Sequence, residues 1–191
     1  MNEAAQQYWT EYWKDAEIPK SVSAWKFGDT PNRLAKQVVD GTKTATCSAY
    51  LFYKLKNIPL PTTEDYSVIL DHDENPIAIV KTIEVTIVPM NEITEEFAIA
   101  EGDESYTNWK EIHERYFRSK LNEVGHDFSD DILLVCERFR RIDIKNRRRE
   151  NEKDVSKIIT CIVYNTASSW TSNILENISL YKNWRLGIDE N

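Results

Sequence analysis

Cysteine is scarce in this 191-residue chain, and the three that occur, Cys47, Cys136 and Cys161, lie far apart with no Cys-x-x-Cys pair. That spacing excludes a disulfide framework, a dithiol redox motif and a cysteine-based zinc module, and it suits a reducing compartment. No apolar run approaches the roughly 20 residues needed to span a bilayer, and no charged-then-apolar leader is visible. We therefore expect a soluble cytoplasmic protein with no membrane partner. Cations are also in deficit, with 24 Lys/Arg against 32 Asp/Glu and a formal charge of −8. The deficit falls within residues 1–145, whereas 146–191 are close to balance. Non-specific nucleic-acid affinity comes mainly from cations that neutralise phosphates, so an acidic body favours a small substrate, or one short stretch of RNA held in a cleft. Metal-binding spacings are missing too. His113 has no second histidine at i+4, and Asp71-His72-Asp73-Glu74 lacks EF-hand spacing and reads as an acidic hairpin turn. Neither a metal nor a cofactor is expected, and His113 is read as a helix-face residue or one standing behind a site.

What remains is ample core material, 41% apolar and 11% aromatic residues, enough for one domain with appendages. Tyr8, Trp9, Tyr12 and Trp13 recur at helical spacing, which predicts an amphipathic helix packed on the domain within an N-terminal segment, 1–20. Thr30-Pro31 and Gly41 bracket a helix over 30–40 that carries Leu34, Val38 and Val39. A strand follows from about 44, then a loop over 59–65, a strand over 66–70 and a long strand over 77–88 closing a hairpin. Glu92 to Ala100 reads as a short helix. Ser105 reads as the cap of a second, over 107–121, whose Trp109, Ile112, Tyr116 and Phe117 share a face. Residues 132–144 read as a closing strand. The domain is thus expected over 21–145, as an α+β fold built on a small barrel of about five or six mainly antiparallel strands. The charged run at 145–153 opens a linker and C-terminal extension, 146–191, of uncertain order.

The segment most informative about chemistry is Gly41-Thr42-Lys43-Thr44-Ala45-Thr46. In an unbroken strand residues 43 and 46 point to opposite faces, so a pocket shared by Lys43 and Thr46 requires an irregular entry after Gly41.

Several segments together carry a family resemblance: Trp25-Lys26-Phe27-Gly28-Asp29, GTKTATC at 41–47, Pro76 to Ile79, Ala100-Glu101-Gly102, SYTNWKEIHERYF at 105–117, and Val135-Cys136-Glu137-Arg138-Phe139. In this order, over roughly residues 20 to 145, the chain resembles the ASCH domains, whose fold is similar to the RNA-binding PUA domain. Glu64-Asp65 stands where the family usually has Gly-Asp. The resemblance implies a PUA-like barrel with flanking helices and a cleft for a nucleoside or an unstacked base. In characterised relatives a lysine, a threonine and a glutamate hydrolyse an acyl amide on the exocyclic nitrogen of cytidine. Lys43 and Thr46 match the first two, and Glu101, at the head of Ala-Glu-Gly, matches the third.

Two routes are open for such a trio. In one, a neutral Lys43 activates the Thr46 hydroxyl as nucleophile while Glu101 serves the cytosine amino edge or the leaving amine; this calls for burial among apolar groups and for Glu101 not to be a close ion partner throughout the cycle. In the other, Thr46 donates a hydrogen bond while Lys43 and Glu101 direct a water. Trp25, Thr44, Trp109 and Arg138 are the candidate substrate-binding residues, with Trp25 the pocket wall and Phe27 a further aromatic. Arg138, Arg140, Arg141 and Arg147 to Arg149 form the edge on which RNA phosphates are expected if RNA binds. The activity expected is that of an amidohydrolase acting on N4-acylated cytidine. The alternatives are an RNA-binding module without catalysis and a metal-dependent ribonuclease, so the partner is a nucleoside or single-stranded RNA; the oligomeric state is left open.

Overall fold

The computed structural model describes residues 1–145, so the expectations for 146–191, including Arg147 to Arg149, lie outside the described residues. Helix α1 spans Glu3–Tyr12, strand β1 Val22–Lys26, helix α2 Pro31–Asp40, strand β2 Ala45–Ala49 and helix α3 Tyr50–Lys56. They are followed by strands β3, Tyr66–Leu70, and β4, Pro76–Pro89, then helices α4, Glu95–Ala100, and α5, Tyr106–Asn122, and strand β5, Leu133–Ile144. The strands form one curled mixed sheet in the order β1-β3-β4-β5-β2. Only β1 against β3 is parallel, and the remaining neighbours are antiparallel. The result is an α+β half-barrel flanked by helices, as the sequence led us to expect.

The hairpin β3–β4 turns through Asp71 to Asn75, where the Asp71 carboxylate accepts the Asn75 N–H at 2.8 Å and Glu74 adopts φ 64°. Those acidic residues close a turn, Asp71 bonding within it and Glu74 pairing with Lys26 on β1. Alternation along the strands assigns the sheet's two faces. Val68, Leu70 and Ile79 pack against Ala5, Tyr8 and Trp9 of α1, whereas Ile69, Ala78 and Val80 pack against Ala35 and Val38 of α2. Trp9 is almost wholly buried, so truncating it to alanine should cost about 3–5 kcal/mol. A third apolar cluster, with Met90, Phe97, Trp109, Phe117, Leu121 and Leu134, joins α4 and α5 to β5 and the Ala45 and Ala49 side of β2.

Helix α3 is absent from the sequence reading. It follows β2 directly, and Ala49 at its N-cap provides no side-chain cap, so no start signal separates strand from helix. Strand β1 is likewise not among the strands delimited from the sequence. Helix α2 starts and stops where Pro31 and Gly41 place it, with Gly41 at φ 85°, although Thr30 caps through no side-chain bond.

Candidate functional site

The irregular entry that Lys43 needs is present and tied down on both sides. The N–H groups of Gly41, Thr42 and Lys43 all reach the Gln37 carbonyl at 3.0–3.1 Å, closing the end of α2. Thr44 N–H then bonds the Ala100 carbonyl at 2.7 Å, which fastens this segment to the end of α4, one residue before Glu101. Glu101 is the C-cap of α4, and Gly102 at φ 89° turns the chain away from it. A carboxylate is disfavoured at the negative end of a helix. The Lys43 ammonium compensates by donating to the Glu101 carbonyl at 2.8 Å and to Glu101 Oε2 at 3.3 Å.

Both partners are buried, at 3% and 4% exposure. The ammonium also lies 5.0 Å from the centre of the Phe27 ring. His113 Nε2 approaches the same Glu101 Oε2 at 3.5 Å, while Glu101 Oε1 is buried with no hydrogen-bond partner among the described residues. Burial alone would push the Glu101 carboxyl upward. The Lys43 ammonium, then His113 and the neighbouring Cys47 thiol, reverse this and hold it well below the ordinary carboxylate range. The Cys47 thiol is pushed well above its usual value by burial, then by the Glu101 charge, with Lys43 opposing.

Two recesses meet here. A small cavity of about 110 Å³ is lined by Lys43, Thr46, Cys47, Glu101, Asp103 and His113, among others. A larger cleft of about 570 Å³ is lined by residues including Trp25, Tyr53, Tyr66, Ser67 and Glu137. Phe27, Gly28, Thr46 and Cys47 border both. Lys43, Thr46 and Glu101 are thus brought to one cavity despite the distance between positions 43 and 101 in the chain.

A family model described as the ASCH domain matches residues 23–143. The chain belongs to the ASCH domain family. Among solved structures it is similar to an ASCH domain from Lactobacillus crispatus JV V101, at 30% identity and TM-score 0.70, over 74% of this chain and 95% of that one. It is also similar to a protein from Enterococcus faecalis V583, at 37% identity and TM-score 0.66, over 78% of this chain and 91% of that one. No curated protein matches the chain.

Other expected positions of this ASCH domain are distributed differently. Trp25 does line the larger cleft, its indole N–H donating to Ser67 Oγ at 2.9 Å and its ring set edge-on to Phe27. Trp109 is wholly buried and presents no face to a ligand. It stands behind His113, the rings stacked with centroids 4.3 Å apart, and its carbonyl lies 2.8 Å from His113 Nδ1. The expected substrate contact of Trp109 is therefore replaced by support of His113. The Thr44 side chain is exposed, and its backbone does the fastening, accepting Phe139 N–H at 2.8 Å as well.

Arg138 lies on another recess, paired with Glu96 at 2.6 Å and Glu84 at 3.8 Å. Arg141 is spent on the Val38 and Val39 carbonyls at the end of α2. Of the expected basic edge within 1–145, two of the three arginines are thus engaged in internal contacts rather than offered to phosphates.

The sequence reading gives Cys47 no functional role and puts His113 on a helix face or behind a site, and both line the cavity itself. Cys47 is the neighbour of Thr46, and His113 lies four residues past Trp109, but nothing in their spacing links them to position 101. The Cys47 Sγ atom, a ring nitrogen of His113 and a Glu101 carboxylate oxygen all lie within 4.8 Å of one another. Among the described residues no helix is long and apolar enough to cross a membrane.

Proposed function

We propose that this protein hydrolyses an acyl amide on the exocyclic nitrogen of a cytosine nucleoside. The observation that carries the reading is the convergence of Lys43, Glu101 and Thr46 on one small cavity, with a buried ammonium and carboxylate in contact. The larger cleft falls within the size range of small-molecule sites and has room for base and sugar, while the small cavity takes the acyl group. Asp65 and Glu137 border the cleft and Lys26 is the one lysine or arginine there among the described residues, a lining that suits an uncharged nucleoside better than a phosphate chain.

The contact between Lys43 and Glu101 favours the water route over the lysine-base route. In the ion pair the amino group donates to Glu101 and has no free lone pair with which to accept the Thr46 proton. On substrate entry the ammonium moves to the acyl carbonyl oxygen, joined by the Thr46 hydroxyl, and the two stabilise the oxyanion. The charge that held the Glu101 carboxyl down is then withdrawn, and the carboxylate becomes a stronger base. A water oxygen bonds to the acyl carbon and gives one proton to Glu101. The C–N4 bond breaks as that proton passes to N4, leaving a carboxylic acid and cytidine.

The test is to incubate the protein with N4-acetylcytidine and, separately, with single-stranded RNA, each with and without EDTA. Acetate release that persists in EDTA is expected. RNA cleavage lost in EDTA, or retention of either ligand without turnover, would overturn the hydrolase reading in favour of a nuclease or a binding module.

A further inference from the structure

Among the cavity groups that the proposed reaction leaves unused are the Cys47 thiol and His113 Nε2. The Trp109 carbonyl can only accept, so the hydrogen in its 2.8 Å contact belongs to His113 Nδ1. In the neutral ring this leaves the lone pair on Nε2, and Nε2 faces Glu101 Oε2 at 3.5 Å. Two lone-pair atoms facing each other at that separation can be bridged by an electrophile, either a proton or a metal ion. A histidine that ligates metal through one nitrogen while its other N–H is held by a backbone carbonyl is the usual arrangement at protein metal sites. The third donor, Cys47 Sγ, lies within 4.8 Å of both others. Ligands bound to tetrahedral zinc at about 2.0–2.3 Å stand roughly 3.5 Å apart, so the three donors need to close by only about 1 Å. Buried Glu101 Oε1, without a hydrogen-bond partner among the described residues, is a second oxygen available to a cation.

We infer that Cys47, Glu101 and His113 form a binding site for a thiophilic divalent ion of the zinc class, three protein ligands with a fourth position open to the cavity. The metal replaces the proton on the thiol, so binding one ion releases one proton from Cys47. Two anionic ligands then match the charge of the ion. The opposing group is the Lys43 ammonium on Glu101 Oε2, and Asp103 on the cavity wall offsets it in part. Repulsion by Lys43 sets the affinity, which is why the lysine makes the site a graded one rather than a permanently filled one. The inference does not depend on amide hydrolysis. A protein that binds metal here and leaves N4-acetylcytidine intact keeps this inference and loses the other.

The test is a titration of the chelator-stripped full chain with Co2+, followed by near-ultraviolet and visible absorption. One equivalent is expected to produce a thiolate-to-cobalt charge-transfer band that Zn2+ abolishes by displacement. Cys47→Ser should remove the band, His113→Gln should weaken binding by about tenfold or more, Lys43→Met should tighten it, and Cys136→Ser should leave it intact. No band in the wild type, or a band that survives Cys47→Ser, overturns the site. Should Cys47→Ser fail to fold, iodoacetamide labelling of the wild type decides: Zn2+ should protect Cys47 from alkylation, and equal labelling with and without Zn2+ overturns the proposal.

Discussion

Replacing Lys43 by methionine keeps most of the side-chain volume and removes the charge that Glu101 depends on. Both groups are buried, at 3% and 4% exposure, so solvent screens little of the loss. Breaking such a pair from one side typically costs about 3–5 kcal/mol, because an uncompensated carboxylate is left inside. For a domain of this size that corresponds to a fall of roughly 10 °C in Tm. The pH dependence carries a distinctive sign. In the wild type the Glu101 carboxyl is held well below its ordinary value of 4.5, so its contribution is present above that value and is lost as the pH falls below it. In Lys43→Met the upward push of burial is no longer countered by the ammonium, so stability is instead lost as the pH rises above about 4.5. The gap between the two proteins should therefore be wide at pH 7 and narrow on acidification. Urea unfolding followed by circular dichroism from pH 4 to pH 8 measures it. A gap below about 1 kcal/mol at pH 7, or one that does not change with pH, would refute the reasoning.

The double variant Lys43→Met/Glu101→Gln, measured in the same way, should be more stable than the sum of its parts predicts, by about 1–3 kcal/mol. Thr46→Val should lower kcat for N4-acetylcytidine by about a hundredfold if the hydroxyl is an oxyanion donor, whereas complete loss would mark it as the nucleophile. Gly28→Ala places a Cβ 2.5 Å from Tyr116 Oη at the junction of the two recesses. The Tyr116 ring, which lines the small cavity, has to shift, and KM should rise with little loss of Tm.

Much of this molecule is legible in its sequence where a local signal and a tertiary requirement coincide. Pro31 and Gly41 delimit α2 because one fits the first helical turn and the other the left-handed cap. The runs rich in Ile and Val in 66–70 and 77–88 specify a hairpin because its strands present one apolar face to α1 and another to α2. The odd spacing of Lys43 and Thr46 is itself informative, since only an irregular entry reconciles them, and the Thr44–Ala100 backbone bond provides it.

What was hidden depends on contacts between distant segments. Cys47 and His113 meet Glu101 only after β2, α4 and α5 have packed, and no motif joins 47, 101 and 113. Trp109 and Arg138 carry the composition of ligand-binding residues, yet one is spent supporting His113 and the other neutralising Glu96. Side-chain type shows what a residue can do, while burial and pairing decide whether it is free to do it.

The most direct test of the account is the rate of N4-acetylcytidine hydrolysis by the wild type and by Glu101→Gln, with folding of both verified by circular dichroism. The account predicts measurable acetate release by the wild type and a fall in kcat/KM of about 10²–10⁴ in the variant, as expected when a general base is removed. Equal rates in the two proteins, or no release by a folded wild type, would contradict it.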